Sequence, residues 1–247
     1  YGFTPPPYTL FKGIRKLRPA HLLRLNGSNV VEQRYWHLSY KEKLRAGEDE
    51  LGEQLYSLLV HSVRHQMIAD VPLGAFLSGG FDSSGIVHLM SRADSRPVNT
   101  YTIGFGAGFD AYNEAQAARR FANDYKTAHH EIILTPVVED LLPRLVESLD
   151  EPVADSSFLV TYLVAKLARE SVKVILSGVG GDELFGGYRR YLNVPLARYM
   201  RFVPKALRAG LLENALKRIP VDRNNRWLNL MRLARGYLAT ADLPIQE

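Results

Sequence analysis

The chain has 247 residues, 46% of them hydrophobic, with 31 Lys and Arg against 26 Asp and Glu for a net charge of +5, and it has no cysteine. That is enough apolar material for one sizeable core with a small appendage, and the missing cysteines exclude disulfides, thiolate metal sites and a cysteine nucleophile within these residues. No apolar run approaches the length needed to span a bilayer, and YGFTPPPY lacks the basic head and apolar stretch of a secretory signal, so a soluble, cytoplasmic protein is expected. The charge is uneven: the stretch from Gly187 to Glu247 holds 12 Lys and Arg against 4 Asp and Glu. A solvated helical face, or a surface covered by further chain, is the expected reason. No aromatic-interleaved basic motif accompanies the charge, so no nucleic-acid partner is expected.

Residues 1–40 read differently from the rest. After the stiff Pro5-Pro6-Pro7 start, Leu10 to Ile14, His21 to Leu25 and Asn29 to Trp36 have the pattern of short strands, the last two joined by Asn26-Gly27-Ser28, a favoured hairpin turn. Three short strands make a poor domain. This piece is therefore expected to be the trailing edge of a β-rich domain lying upstream, and the chain, opening on Tyr1, a fragment of something longer. From Ala46 to Ala69, Leu51, Leu55, Leu58, Leu59, Val63 and Met67 follow helical spacing. His61 and His65 lie one turn apart there, with no third ligand nearby, and are expected to be surface residues rather than a metal site.

Val71 to Leu77 forms an apolar strand, followed by Ser78-Gly79-Gly80-Phe81-Asp82-Ser83-Ser84 and by the apolar helix start Ile86, Val87, Leu89, Met90. Glycines at the strand end let the chain turn tightly and admit a bulky anion to the backbone N–H groups. The hydroxyls of Ser78, Ser83 and Ser84 add donors, and the positive end of a helix beginning near Ser83 points into the same space. Asp82 would repel a phosphate unless a cation sat between them, and Mg²⁺ is the natural bridge.

A second strand over Val98 to Phe105, a helix running to about Tyr125 and a third strand over His130 to Leu134 follow, giving βαβαβ order and a parallel sheet flanked by helices, an α/β fold. Ligands in such sheets bind beyond the carboxyl ends of the strands, which puts Leu77 and Ile103 on one rim. His129 and His130 would face opposite sides of their strand. A helix is expected over Pro136 to Leu149. In the turn Asp150 to Ser157, Asp155 and Ser156 are candidates both for a substrate's amino group and for the N-cap of a helix over Phe158 to Ser171. A fourth strand over Val172 to Leu176 runs directly into Ser177-Gly178-Val179-Gly180-Gly181-Asp182-Glu183-Leu184-Phe185-Gly186-Gly187-Tyr188. Asp82 and Asp182 are thereby expected to meet across a cleft and hold one or two Mg²⁺ on phosphates.

LSGGFDSS resembles the signature of PP-loop ATP pyrophosphatases, and with LSGVGGDELFGGYRRY, YTIGF, HHEIILTP and LDEPVADSS in order the chain resembles the synthetase part of the glutamine-dependent asparagine synthetases. YTLFKGIRKLRPAHLLRLNGSNVVEQRYW resembles the end of that family's glutaminase domain. The resemblance implies an adenine nucleotide alpha-hydrolase-like fold. Residues 1–40 would be the remnant of the glutaminase (amidotransferase) domain, and 41–247 an incomplete ATP pyrophosphatase domain with a helical C-terminal segment. It implies a ligase that uses ATP and Mg²⁺ to activate aspartate or a related acid as an acyl-adenylate, which ammonia from glutamine attacks, releasing AMP and pyrophosphate.

Position by position it implies that Leu77 and Ile103 contact adenine, that Ser78, Gly79, Gly80, Ser83 and Ser84 bind phosphates, and that Ser177 and Gly178 lie under the nucleotide. Asp82 and Asp182 would hold Mg²⁺, and Asp155 and Ser156 would border the acceptor. Small molecules are the implied partners, and a homodimer is compatible with the sequence. Three departures stand out. The cysteine nucleophile is absent, Glu247 falls short of the stretch that carries the family's pyrophosphate lysine, and Val179 occupies a position that is usually acidic. A fragment that is inactive or impaired is expected from these, with a degenerate nucleotide-binding module and an RNA-modifying PP-loop enzyme as alternatives.

Overall fold

A computed structural model of the chain describes residues 2–106, 114–134, 141–155, 157–188, 191 and 228. The helical C-terminal segment expected from the sequence lies almost wholly outside these residues.

Near the N-terminus, β1 (His21–Asn26) and β2 (Asn29–Arg34) form an antiparallel hairpin in which Asn26 faces Asn29. Gly27 opens the two-residue loop with φ of 60°, as a primed hairpin turn requires of its first central residue. Leu10 to Ile14 is not the strand its sequence suggested but a set of turns. The Thr9 hydroxyl donates to the carbonyls of Phe11 and Ile14, and the Ile14 N–H donates to Phe11, so local bonds take the groups a ladder would need.

α1 (Glu48–Gln66) begins with Glu48, Asp49 and Glu50 and ends with Arg64 and His65, charges that complement its dipole. The rings of His61 and His65 are 4.3 Å apart between centroids, and no cluster of three metal-ligating side chains occurs among the described residues.

The remaining elements are β3 (Leu73–Phe76), α2 (Phe81–Ala93), β4 (Asn99–Phe105), α3 (Ala115–Asp124), β5 (Ala128–Leu134), α4 (Leu142–Glu147), α5 (Ser157–Ala168), β6 (Val174–Leu176) and α6 (Gly181–Phe185). The four strands make a parallel sheet in the order β5-β4-β3-β6. The chain builds outward from β3 through β4 to β5, then returns and adds β6 on the other side of β3.

Strand alternation divides the core. Ala75 and Leu77 join Val63 of α1, Val87 and Met90 of α2, and Ala118 and Ala122 of α3 on one face; Tyr101 and Ile103 pack with Val164 and Ala168 of α5, and with Phe76, on the other. Helices therefore cover both faces, as a parallel sheet demands.

β5 begins at Ala128, two residues before the expected start, so that His129 sits inside the ladder opposite Thr100. Its Nδ1 lies 2.9 Å from the Thr100 hydroxyl, which also pairs with Thr127. His130 turns to the other face and stacks on Tyr101 at 5.0 Å. The Nε2 atom of His129 is buried with no hydrogen-bond partner and stands 4.0 Å from Glu131, a carboxylate that Arg119 already holds. Burial pushes the His129 pKa below its ordinary value, against the opposing pull of Glu131.

Two outcomes follow from this packing. Met90 has no exposed surface, so Met90→Ala is expected to lower unfolding free energy by about 2–5 kcal/mol, read from denaturant titration. Because His129 resists protonation in the fold, the unfolded chain takes up a proton first as pH drops below the ordinary histidine value of 6.5. Its contribution is complete above that value and is lost as pH falls through the depressed folded pKa. His129→Gln should flatten the fall in stability between pH 7 and 5, measured by denaturation against the parent chain.

Candidate functional site

β3 and β6 are neighbours in register, with Ala75 opposite Leu176, so the segments that follow them leave the sheet side by side. Both are short because each runs straight into a helix. α2 starts at Phe81, two residues before the expected point, with Gly80 as its N-cap and no side chain capping it. Its first N–H groups are therefore available to an anion. Gly79 has φ of 77°, and a Cβ there would lie 2.7 Å from both the Ala117 Cβ and the Ala118 nitrogen of α3. Only glycine fits that turn and that contact together.

The first loop is braced by its own hydroxyls. The Ser78 and Ser83 hydroxyls are 2.9 Å apart; the Ser78 N–H donates to Ser83 Oγ, the Gly80 N–H donates to Ser78 Oγ, and Ser83 Oγ donates to the Gly80 carbonyl. Ser83 is buried. Ser84 is placed differently: its N–H donates to the Gly80 carbonyl as the first turn of the helix.

The second loop presses onto the first. A Cβ on Gly178 would fall 2.7 Å from the Ser83 nitrogen and 2.8 Å from the Asp82 carbonyl carbon, and one on Gly181 would fall 2.5 Å from the Asp82 carboxyl carbon. Asp182, the next residue, packs its carboxylate against Gly187. Gly180, at φ of 102°, and Gly186, at φ of 69°, bound α6.

Between the loops lies a cavity of about 810 Å³, lined by Ser78, Gly80, Asp82 and Ser83 from the first and by the run from Ser177 to Glu183 from the second. Glu114, at the head of α3, also lines it. Asp82, Asp182, Glu183 and Glu114 thus share one cavity, and no Lys, Arg or His is among its described lining. The Tyr188 hydroxyl donates to Glu183 at 2.7 Å and holds that carboxyl below the usual range. No three of these acids gather into a metal cluster, so carboxylate oxygens of Asp82 and Asp182 beside backbone N–H groups would suit a divalent cation such as Mg²⁺ only together with the oxygens of a phosphate chain. Either alone would face like charge or unmatched acids.

A smaller cavity of about 180 Å³ adjoins this one through Phe76, Ser78 and Glu114, and takes in Leu77, Thr102, Ile103 and the α5 residues Val160, Thr161 and Val164. Ile103 faces it from the α5 side of the sheet. The Leu77 side chain is in the opposite core cluster and only 1% of the residue is exposed; its N–H donates to the Tyr101 carbonyl and its carbonyl accepts the Thr102 hydroxyl, so Leu77 shapes the wall without offering a free polar group to a ligand.

Val179 is 90% exposed and lines both the large cavity and an apolar cleft of about 580 Å³ running between α1, α2 and α6. Asp155 lines none of these cavities. Its Oδ1 accepts the Ser157 N–H at 2.9 Å, which holds the carboxyl below its ordinary pKa and makes Asp155 the cap of α5. Ser156 lies outside the described residues.

Sequence reasoning passed over Glu114 and the Glu183–Tyr188 pair as site residues. Glu114 closes an acidic helix start on the same rim, and that position was the available signal.

Comparison with known proteins gives a consistent match. A family model described as asparagine synthase matches residues 54–245. A Methanocaldococcus jannaschii protein named for asparagine synthetase (glutamine-hydrolysing) is 36% identical over 84% of this chain and 40% of its own length. The Bacillus subtilis asparagine synthetase (glutamine-hydrolysing) 1 is 33% identical over 87% of this chain and 34% of its own length. The chain therefore spans about a third to two-fifths of these curated relatives. An NH3-dependent NAD synthetase from Campylobacter jejuni superposes with a TM-score of 0.39 at 13% identity, over 79% of this chain and 98% of that one.

The contacts between the loops predict an ordered mutational response. An alanine at 178 meets backbone atoms that cannot yield, whereas one at 181 meets a carboxylate that can swing away. Gly178→Ala should therefore cost stability by about 1–3 kcal/mol, the range for overpacking a tight contact, and Gly181→Ala clearly less, as read by thermal and denaturant unfolding.

Proposed function

The chain belongs to the asparagine synthase family, and from that premise we propose that it forms the nucleotide-binding part of an enzyme that amidates aspartate or a related carboxylic acid at the expense of ATP. On this reading residues 1–40 end a glutaminase domain and 41–247 belong to the synthetase domain of a soluble, cytoplasmic ligase. The observation that carries the proposal is the meeting of two glycine-rich loops, each bearing an acid, at the ends of adjacent parallel strands.

The chain's own groups divide the work. Backbone N–H groups at the start of α2, with the Ser78 and Ser83 hydroxyls, bind phosphate oxygens once they exchange their mutual bonds for the ligand. Ser177 and Gly178 form the floor beneath the nucleotide. Ile103 borders the adenine side with Leu77 in the lining beside it, and the wall from Val160 to Val164 keeps water from it. Asp82 and Asp182 would hold Mg²⁺, which when bound neutralises phosphate charge and steadies the departing pyrophosphate.

The acceptor carboxylate attacks the α-phosphorus, pyrophosphate leaves, and ammonia then displaces AMP from the acyl carbon. Val179 takes no proton in this sequence, so the hydrogen shed by the attacking ammonia must pass to another group or to water. The chain has no cysteine to hydrolyse glutamine, so ammonia comes from outside these residues. A second reading, a nucleotide-binding module without turnover, is favoured by one observation: the group at 179 is apolar and almost fully exposed on the cavity.

Calorimetric titration with ATP and Mg²⁺ tests the common premise. Asp82→Ala should weaken binding by at least tenfold; equal binding by both forms, or none by the parent, would remove the nucleotide site. Pyrophosphate release by the whole gene product on adding aspartate and ammonia separates enzyme from module. If Val179→Glu raises that rate severalfold, the acid is the missing proton carrier; equal rates would clear Val179 of any deficit.

A further inference from the structure

Among the described residues, the N-terminal segment is fastened to the α/β body at the turn that follows α4. The Lys16 ammonium forms an ion pair with Glu151 across 135 residues of chain, and its second bond goes to the Thr4 carbonyl at 2.7 Å. The Ala154 N–H donates to the Gly2 carbonyl at 2.7 Å. Gly2 has φ of 80°, and a Cβ there would come within 3.3 Å of the Ala154 carbonyl oxygen, so the two backbones touch. The Lys16 N–H donates to Pro7, which ties the lysine into the same N-terminal turn.

We propose that Lys16 and Glu151 form a positioning contact, through which the N-terminal segment holds the turn from Asp150 to Asp155 and hence the α5 wall on the adenine side of the cavity. This rests on the nucleotide reading above. The route is continuous. Glu151 and Ala154 are held from outside, Asp155 of the same turn caps α5 through Ser157, and Val160, Thr161 and Val164 of α5 form a wall of the cavity beside Ile103 and Glu114.

The electrostatics make the contact selective. Side-chain exposure is 28% for Lys16 and 16% for Glu151, and the second Glu151 oxygen is buried with no partner among the described residues. Removing the ammonium would leave a mostly buried carboxylate uncompensated, a state it escapes by turning outward and taking the turn with it. A surface ion pair would have no such consequence.

Hydrogen exchange and kinetics on Lys16→Met, Glu151→Gln, their double variant and Lys16→Arg provide the test. Lys16→Met should speed exchange at Ala154 and across Ser157 to Thr161 by at least tenfold, while amides of α2 and β3 keep their protection. It should also weaken ATP-Mg²⁺ binding at least fivefold in calorimetric titration, and in the whole gene product kcat at saturating ATP should stay within twofold of the parent. The double variant should be no worse than the single ones, and Lys16→Arg should restore both readouts.

Unchanged exchange in the turn, or exchange that quickens with no change in ATP affinity, would overturn the proposal. If the parent chain binds no ATP, the nucleotide reading falls instead. The claim that Lys16 holds the turn then stands or falls on exchange alone.

Discussion

The pairing of β6 with β3 is the constraint on which everything at the site depends. Three strands laid down in succession would leave the loop after β3 at an open edge, its hydroxyls bonded to one another and nothing facing them. The return of the chain across the other face of the sheet, through α5, sets Leu176 beside Ala75. Two loops about 100 residues apart in sequence then emerge at one height about 4.8 Å apart, the spacing of hydrogen-bonded strands. This is the switch point of a doubly wound sheet, where a crevice opens because neighbouring strands send their connections to opposite faces. The second loop reaches the first only because residues 178 and 181 have no side chain to keep it off Asp82.

That closeness has an electrostatic price. Asp82 is pressed by one loop while Asp182, Glu183 and Glu114 line the same cavity, and no basic side chain of the described lining offsets them. The four do not gather into one metal cluster, so their charge is spread along the cavity wall. Among the described residues, the protein's positive contribution is confined to backbone: the uncapped start of α2 supplies partial charge without a titratable group. On the proposed reading, such a cavity would favour a metal-nucleotide complex over a bare phosphate or a bare metal.

Legibility in the sequence followed the range of the interactions. The α/β order, the strands and the loop at Ser78 to Ser84 rest on local pattern: alternating or continuous apolar residues, glycine at strand ends and short connections. These were readable. Leu10 to Ile14 was misread because the Thr9 hydroxyl satisfies carbonyls that a strand would offer to a neighbour. The Leu77 side chain was readable as apolar, but its place on the face opposite Ile103 was not, since that depends on which helix covers which side. Asp155 was open between cap and ligand, and its bond to Ser157 favours the cap. Glu114 had a local signal in its acidic helix start and Glu183 pairs with Tyr188 only five residues on, but the cavity they share is made by long-range folding; likewise no spacing rule connects residues 16 and 151.

The exposed valine at 179 is best understood against the charge of its surroundings. Four carboxylates already share the cavity, and a fifth at this position would stand where both loops and the apolar cleft meet. On the proposed reading, an apolar group here adds no repulsion to an approaching polyphosphate, and it offers no proton acceptor to the chemistry that would follow. Under that reading binding and turnover are separable: the loops, the helix start and the acids at 82 and 182 would act on the nucleotide, whereas the group at 179 would act only once an acceptor is present, so nucleotide affinity alone would be no measure of whether the chemistry survives.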